Sequence, residues 1–279
     1  MSLQLKTVEM RQGPRWVGEG FRAFGRRPLA LGLLFLVFLA ASTLVAAVLP
    51  FVGAVLQLMA LPLLSLGYMV ATQSALLGGP VHPGQFIEPL RTDPRRRRAL
   101  LVLCVSYGLL ALAVLALGAW VSDDALTRLQ QLAAAGNPSR EQIVALLEEP
   151  GVTRAAWLLA VLGTLLSVPY WFAPALVHWG GQGVGQALFS STLALWRNRG
   201  AFTTFMATWV AVIAMVSVGL AALLSVLGAA QLATPMLFPL ALLFSSVFYV
   251  SQLFAFNDSF GGATTAGDEP APPPDAAAP

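Results

Sequence analysis

From residue 29 the chain runs LALGLLFLVFLAASTLVAAVL to Leu49, meets Pro50, and continues FVGAVLQLMALPLLSLGYMVATQSALL from Phe51 to Leu77. No Asp, Glu, Lys or Arg occurs anywhere in residues 28–87. About 20 apolar residues cross the hydrocarbon core as a helix, so this stretch holds two spans, 29–49 and 51–77. Only helices and closed barrels satisfy the backbone inside a bilayer, and a barrel strand would alternate polar with apolar residues. This stretch does not alternate, which makes the fold all-α.

Composition extends that conclusion to the whole chain. Of 279 residues 57% are apolar and 10% charged, and the mean hydropathy is +0.74. Ordinary soluble domains carry roughly 25% charged residues, which excludes a water-soluble globule. A second charge-free run covers residues 200–257. Four further spans are predicted at 99–121, 155–177, 201–227 and 233–256, giving a polytopic membrane protein of six transmembrane helices arranged as three hairpins. The polar lead to Arg27 and the length of the apolar run after it do not fit a cleavable signal. The single cysteine, Cys104, lies in an apolar run, excludes an intramolecular disulfide and reads as a packing residue.

Lys and Arg outside these spans are unevenly placed. Six precede the first span, five separate the second from the third and two separate the fourth from the fifth, against three in residues 122–154. By the positive-inside rule the thirteen are cytoplasmic, as are both termini. The predicted layout is a cytoplasmic amphipathic segment (1–28), a transmembrane domain (29–260) with an outer loop at 122–154, and a disordered Pro- and Ala-rich acidic tail (261–279). The net charge of +3 is then a topological asymmetry, and nucleic acid is not an expected partner.

A related passage introduces each odd-numbered span. Val17 to Phe24 leads through Arg26 and Arg27 into the first, Val184 to Phe189 leads through Arg197 and Arg199 into the fifth, and Pro83 to Ile87 is a weaker copy before the third. Each is expected to form a short amphipathic elbow helix. In the first, Val17, Phe21 and Phe24 share one helical face, opposite Arg15, Glu19, Arg22 and Arg26. That pattern suits either an interfacial helix with Trp16 at headgroup depth or an elbow that orients the following span. In the outer loop, helical signals follow Asp123-Asp124, and Ser139 stands where it would cap a second short helix.

Chemistry-bearing motifs are sparse. The predicted spans hold no Asp, Glu, Lys or Arg, which disfavours a proton-driven carrier. No phosphate-binding G-x-x-x-x-G-K-[ST] loop and no H-E-x-x-H pair occurs, and no catalytic residue, metal site or cofactor is expected. Three groups of polar residues are candidates for function. Arg22, Arg26, His178, Arg197, Arg199 and Asp258 should gather at the cytoplasmic membrane boundary. A carboxylate at a helix C-terminus opposes the helix dipole, so Asp258 is expected to pair with one of these arginines or with His178. Arg95, Arg96, Arg97 and Arg98 could hold anionic lipid headgroups or could simply set the topology. Within the spans Gln57, Tyr68, Thr72 and Gln73 would either line a path or hydrogen-bond between helices.

The sequence resembles an uncharacterised family of proteobacterial multi-pass inner-membrane proteins. The resemblance rests on Gly13-Pro14-Arg15-Trp16 through Phe21-Arg22-Ala23-Phe24 and Pro28-Leu29-Ala30-Leu31, on Pro174-Ala175-Leu176-Val177-His178-Trp179, on Trp196-Arg197-Asn198-Arg199-Gly200-Ala201-Phe202, and on Asn257-Asp258-Ser259-Phe260. It implies a bacterial inner-membrane location and no particular reaction. The function expected is that of a non-enzymatic scaffold or accessory subunit contacting lipid or a membrane-protein partner. The alternative is a transporter or channel for an uncharged or weakly charged solute, with its path between the hairpins.

Overall fold

The computed structural model describes residues 3–91, 93–134 and 140–261. The predicted Ser139 cap and tail residues 262–279 lie outside them. Among the described residues the chain is all-α, without a strand. The helices in order are α1 (Gln12–Arg26), α2 (Pro28–Val48), α3 (Pro50–Leu76), α4 (Glu88–Arg91), α5 (Pro94–Val121) and α6 (Ala125–Ala134). There follow α7 (Arg140–Leu147), α8 (Pro150–Tyr170), α9 (Ala173–His178), α10 (Val184–Arg197), α11 (Arg199–Val226) and α12 (Ala233–Phe260).

Among the described residues six segments are long and apolar enough to cross a membrane: Pro28–Val48, Pro50–Leu76, Pro94–Val121, Pro150–His178, Arg199–Val226 and Pro235–Phe260. They carry large exposed apolar side chains, among them Phe51, Trp120, Trp157, Val210 and Val226. Water would penalise such a surface and lipid tails would not. Proline opens α2, α3, α5 and α8, where its missing N–H has no intrahelical partner to lose.

Three boundaries differ from the hydropathy reading by four or five residues, one of them the start of α8 at Pro150. Helix α5 begins at Pro94, so Arg95, Arg96, Arg97 and Arg98 form its first turn. Asp93 is the reason, because its carboxylate accepts the Arg95 N–H at 3.0 Å and caps the helix. Helix α12 runs on to Phe260, where Gly261 closes it at φ 79°, a left-handed conformation that glycine adopts freely.

The fourth span is broken between Tyr170 and Ala173. Pro174 has no N–H to give and disfavours helical backbone just ahead of it. The Ser191 hydroxyl occupies the gap in the ladder. It accepts the Phe172 N–H at 3.0 Å and donates to the Val168 carbonyl at 3.0 Å, the two groups that an unbroken helix would pair directly. Both helical segments expected between α5 and α8 are present as α6 and α7. Asp123 and Asp124 turn the chain into α6 at φ 48° and 67°, a region aspartate tolerates better than most residues.

The chain divides into two compact units. One is drawn from Met1–Leu36, Gly67–Gln85 and Ala194–Pro279, the other from Val37–Leu66 and Phe86–Leu193. In the first, α1 packs on α11 and α12. In the second, α5 packs on α8, with Tyr107 and Tyr170 edge to face at 5.1 Å and the Tyr170 hydroxyl donating to Ser106 Oγ at 2.8 Å.

Candidate functional site

The site is built on α1. Its buried residues are Gly13, Trp16, Val17, Gly20 and Ala23, spaced three and four apart along one face. Glycine is required twice. A Cβ at Gly13 would come within 3.0 Å of Thr204, Ala201 and Phe205 on α11, and one at Gly20 would lie 2.7 Å from Ser251 Cβ on α12. The helix therefore sits close enough for its backbone to touch both spans. This corrects the expected interfacial face of Val17, Phe21 and Phe24: Val17 is buried in protein, and the Phe21 ring packs 5.7 Å from that of Trp209 on α11. Gly13, Gly20 and Ala23 form the buried side together with Trp16 and Val17, while Phe21 and Phe24 are only partly buried.

Trp16 is 0% exposed and lies among the rings of Phe202 and Phe205, at 5.3 and 5.9 Å. Its indole Nε1–H donates to Asp258 Oδ2 at 2.8 Å. The carboxylate in the last turn of α12 thus has a hydrogen-bond partner, as the helix dipole demands, but that partner is a neutral indole. Among the described residues no arginine or histidine comes within ion-pair distance of Asp258.

The segment ahead of α1 is strapped to the same unit. Asn198, 1% exposed between α10 and α11, accepts the Val8 N–H at 2.9 Å and donates to the Lys6 carbonyl at 3.1 Å, so its amide pairs with the chain much as a neighbouring strand would. The Lys6 N–H donates to the Ser259 carbonyl at 2.8 Å, Arg197 Nε to Thr7 Oγ1 at 2.9 Å, and Thr204 Oγ1 to the Met10 carbonyl at 2.6 Å.

A cleft of about 420 Å³ opens beside this core. It is lined by Glu19, Arg22 and Arg26 of α1, Leu76 of α3, and Phe254 and Asp258 of α12. Glu19 is half-buried. Burial, and then the charge of Asp258, push its carboxyl above the usual carboxylate range, against the opposing pull of Arg22 and Arg15.

Of the expected boundary cluster, Arg22, Arg26 and Asp258 therefore share one cleft. Arg197 belongs to the strap, and the Arg199 guanidinium stands 5.6 Å over the Trp196 ring. His178 belongs to the other unit, where its carbonyl accepts a hydrogen bond from Arg96 Nη1 at 2.8 Å and its ring meets Trp179 edge to face at 5.4 Å. Arg96 is thus committed to a helix end, while Arg95, Arg97 and Arg98 are exposed. Among the intramembrane candidates, Tyr68 is fully buried and its hydroxyl donates to the Leu31 carbonyl at 2.9 Å and lies 3.4 Å from Ser246 Oγ. Thr72 is buried and bonds the Tyr68 carbonyl at 2.7 Å. Gln57 and Gln73 are partly exposed.

Sequence reasoning missed Glu19 as a member of the cleft, Asn198 as the strap anchor and Trp16 as the partner of Asp258. The seven-residue spacing of Gly13 and Gly20, with Trp16 and Val17 between them, was a usable signal for a helix packed against protein.

Helices without strands and six apolar spans with few intramembrane charges, among the described residues, define a multi-pass integral membrane protein. Over 260 residues the chain is 34% identical to a probable inner membrane protein of Burkholderia thailandensis, with 93% of this chain and 94% of that protein covered. The chain belongs to the family of that inner membrane protein. No protein-family model matches it, and no solved structure does.

Proposed function

We propose that this is a non-enzymatic inner-membrane scaffold or accessory subunit, with both termini in the cytoplasm, that presents α1 and its clefts to lipid headgroups or to a membrane-protein partner. The observation that carries this reading is the mounting of α1. Its small-residue face is seated on α11 and α12, while Arg15, Arg22 and Arg26 are left exposed. The transport alternative loses ground, because Tyr68 and Thr72 spend their hydroxyls on hydrogen bonds within one unit.

The test is the charge-reversed pair Arg15→Glu and Arg22→Glu, purified from native membranes with quantitation of co-purifying proteins and phospholipids. The pair should reach the membrane at the wild-type level and lose part of that set. An unchanged set would overturn the reading. For the orientation, Arg15→Cys and Glu148→Cys in a Cys104→Ala background should label oppositely in intact cells, Glu148→Cys alone reacting with an impermeant thiol reagent.

A further inference from the structure

The cleft beside α1 carries charge of both signs at the depth where spans end. Arg22 and Arg26, one helical turn apart, stand on its wall with Glu19 and Asp258. Among the described residues none of these four closes an ion pair with another. Trp16 occupies only Oδ2 of Asp258. Leu76 and Phe254 complete the lining with apolar surface, and α2 enters its span two residues after Arg26. Two cationic forks, two carboxylates and an apolar wall form an arrangement that one small ionic ligand of a single sign would only half satisfy.

We propose that this cleft holds the headgroup of a zwitterionic phospholipid bearing a primary ammonium, with the phosphate on Arg22 and Arg26 and the ammonium between Glu19 and Asp258. Guanidinium groups match phosphate oxygens in geometry and charge. A primary ammonium brings three N–H donors to the carboxylates, whereas a trimethylated one brings none. The apolar wall meets the start of the acyl chains. An ammonium beside Glu19 would also offset the burial, and then the repulsion from Asp258, that together raise its carboxyl pKa. The proposal deepens the lipid-contact reading above and rests on it, but it is tested on purified protein, so absence of a protein partner in the membrane leaves its outcome unaffected.

The full chain, purified in a detergent free of phospholipid, is offered equal concentrations of dioleoyl phosphatidylethanolamine, phosphatidylglycerol and phosphatidylcholine, and retained lipid is counted by native mass spectrometry. Phosphatidylethanolamine should be retained about ten-fold over the other two, the scale of one charge-assisted hydrogen bond. Glu19→Gln should abolish that preference and leave phosphatidylglycerol retention at least equal to wild type, and Glu19→Asp should restore part of it. Arg22→Gln with Arg26→Gln should weaken both lipids. Equal or better retention of phosphatidylglycerol by the wild type would overturn the proposal, as would a preference that survives Glu19→Gln. Displacement of phosphatidylethanolamine by millimolar inorganic phosphate or phosphoethanolamine would assign the cleft to a free phosphate compound and overturn the lipid assignment.

Discussion

The Trp16 indole donates to the Asp258 carboxylate at 2.8 Å and so ties the first helix to the last turn of α12 across 242 positions of sequence. The donor is fully buried and the acceptor exposed, so the bond works mainly by aiming an aromatic anchor. Trp16→Phe keeps a ring among Phe202 and Phe205 and removes the N–H. Its expected cost is about 1 kcal/mol, because water can replace the donor at Asp258. The corresponding fall in thermal midpoint in detergent is about 2–4 °C, whereas Trp16→Ala should cost about 3–5 kcal/mol. Equal midpoints for Trp16→Phe and Trp16→Ala would contradict a packing role for the ring.

The glycines of α1 separate by environment. A side chain at Gly13 or Gly20 meets α11 or α12 below 3.0 Å, while Gly18 and Gly25 face open space. Gly20→Leu should strongly lower the amount of protein in the membrane. Gly18→Ala and Gly25→Ala should equal or slightly exceed wild type, since alanine favours helix by up to about 1 kcal/mol. Immunodetection in membrane fractions gives the comparison, and a Gly20→Leu protein that accumulates normally would rule out the close approach.

Ser191 completes the broken fourth span by serving two backbone groups at once. Ser191→Ala removes the hydroxyl from the Phe172 N–H, at about 1–3 kcal/mol for that buried group, while the Val168 carbonyl keeps the Trp171 N–H at 3.5 Å. Thr192→Val removes only a hydroxyl bonded to its own helix at Leu188 and should change the midpoint by less than about 1 °C. Thermal scans of the two variants should therefore diverge, and matching scans would discount the bridge.

Glu19 gives a pH signature with a defined sign. Burial, and then the charge of Asp258, raise its carboxyl above the usual range, so the folded protein holds this proton more tightly than the unfolded chain does. Stability is therefore lost as pH rises from the ordinary value of 4.5 through the raised one. Glu19→Gln is neutral throughout and should be more stable than wild type at pH 7, by on the order of 1 °C given partial exposure. The advantage should vanish at pH 4. A gain that persists in acid would point to a cause other than charge.

Charge-free runs over residues 28–87 and 200–257 cannot be solvated as helices except by lipid, and that property sums over a local window. The class of fold, the number of spans and most of their ends were legible in the sequence by itself for that reason. Asp93 and Pro94 could also have been read as a helix start, being adjacent in sequence. The contacts that make the site are long-range and use common residue types. Asn198 stands between two arginines and reads as topology, yet it bonds Lys6 and Val8 across 192 and 190 positions. Ser191 resembles any other hydroxyl in an apolar stretch until the break at Phe172 is brought against it. The face of α1 was open between lipid and protein because Gly20 chooses a side only when Ser251 lies 2.7 Å from where its Cβ would be. Hydropathy reports what surrounds a helix on average, whereas close approach and hydrogen-bond direction depend on which helix becomes its neighbour, and only tertiary packing decides that.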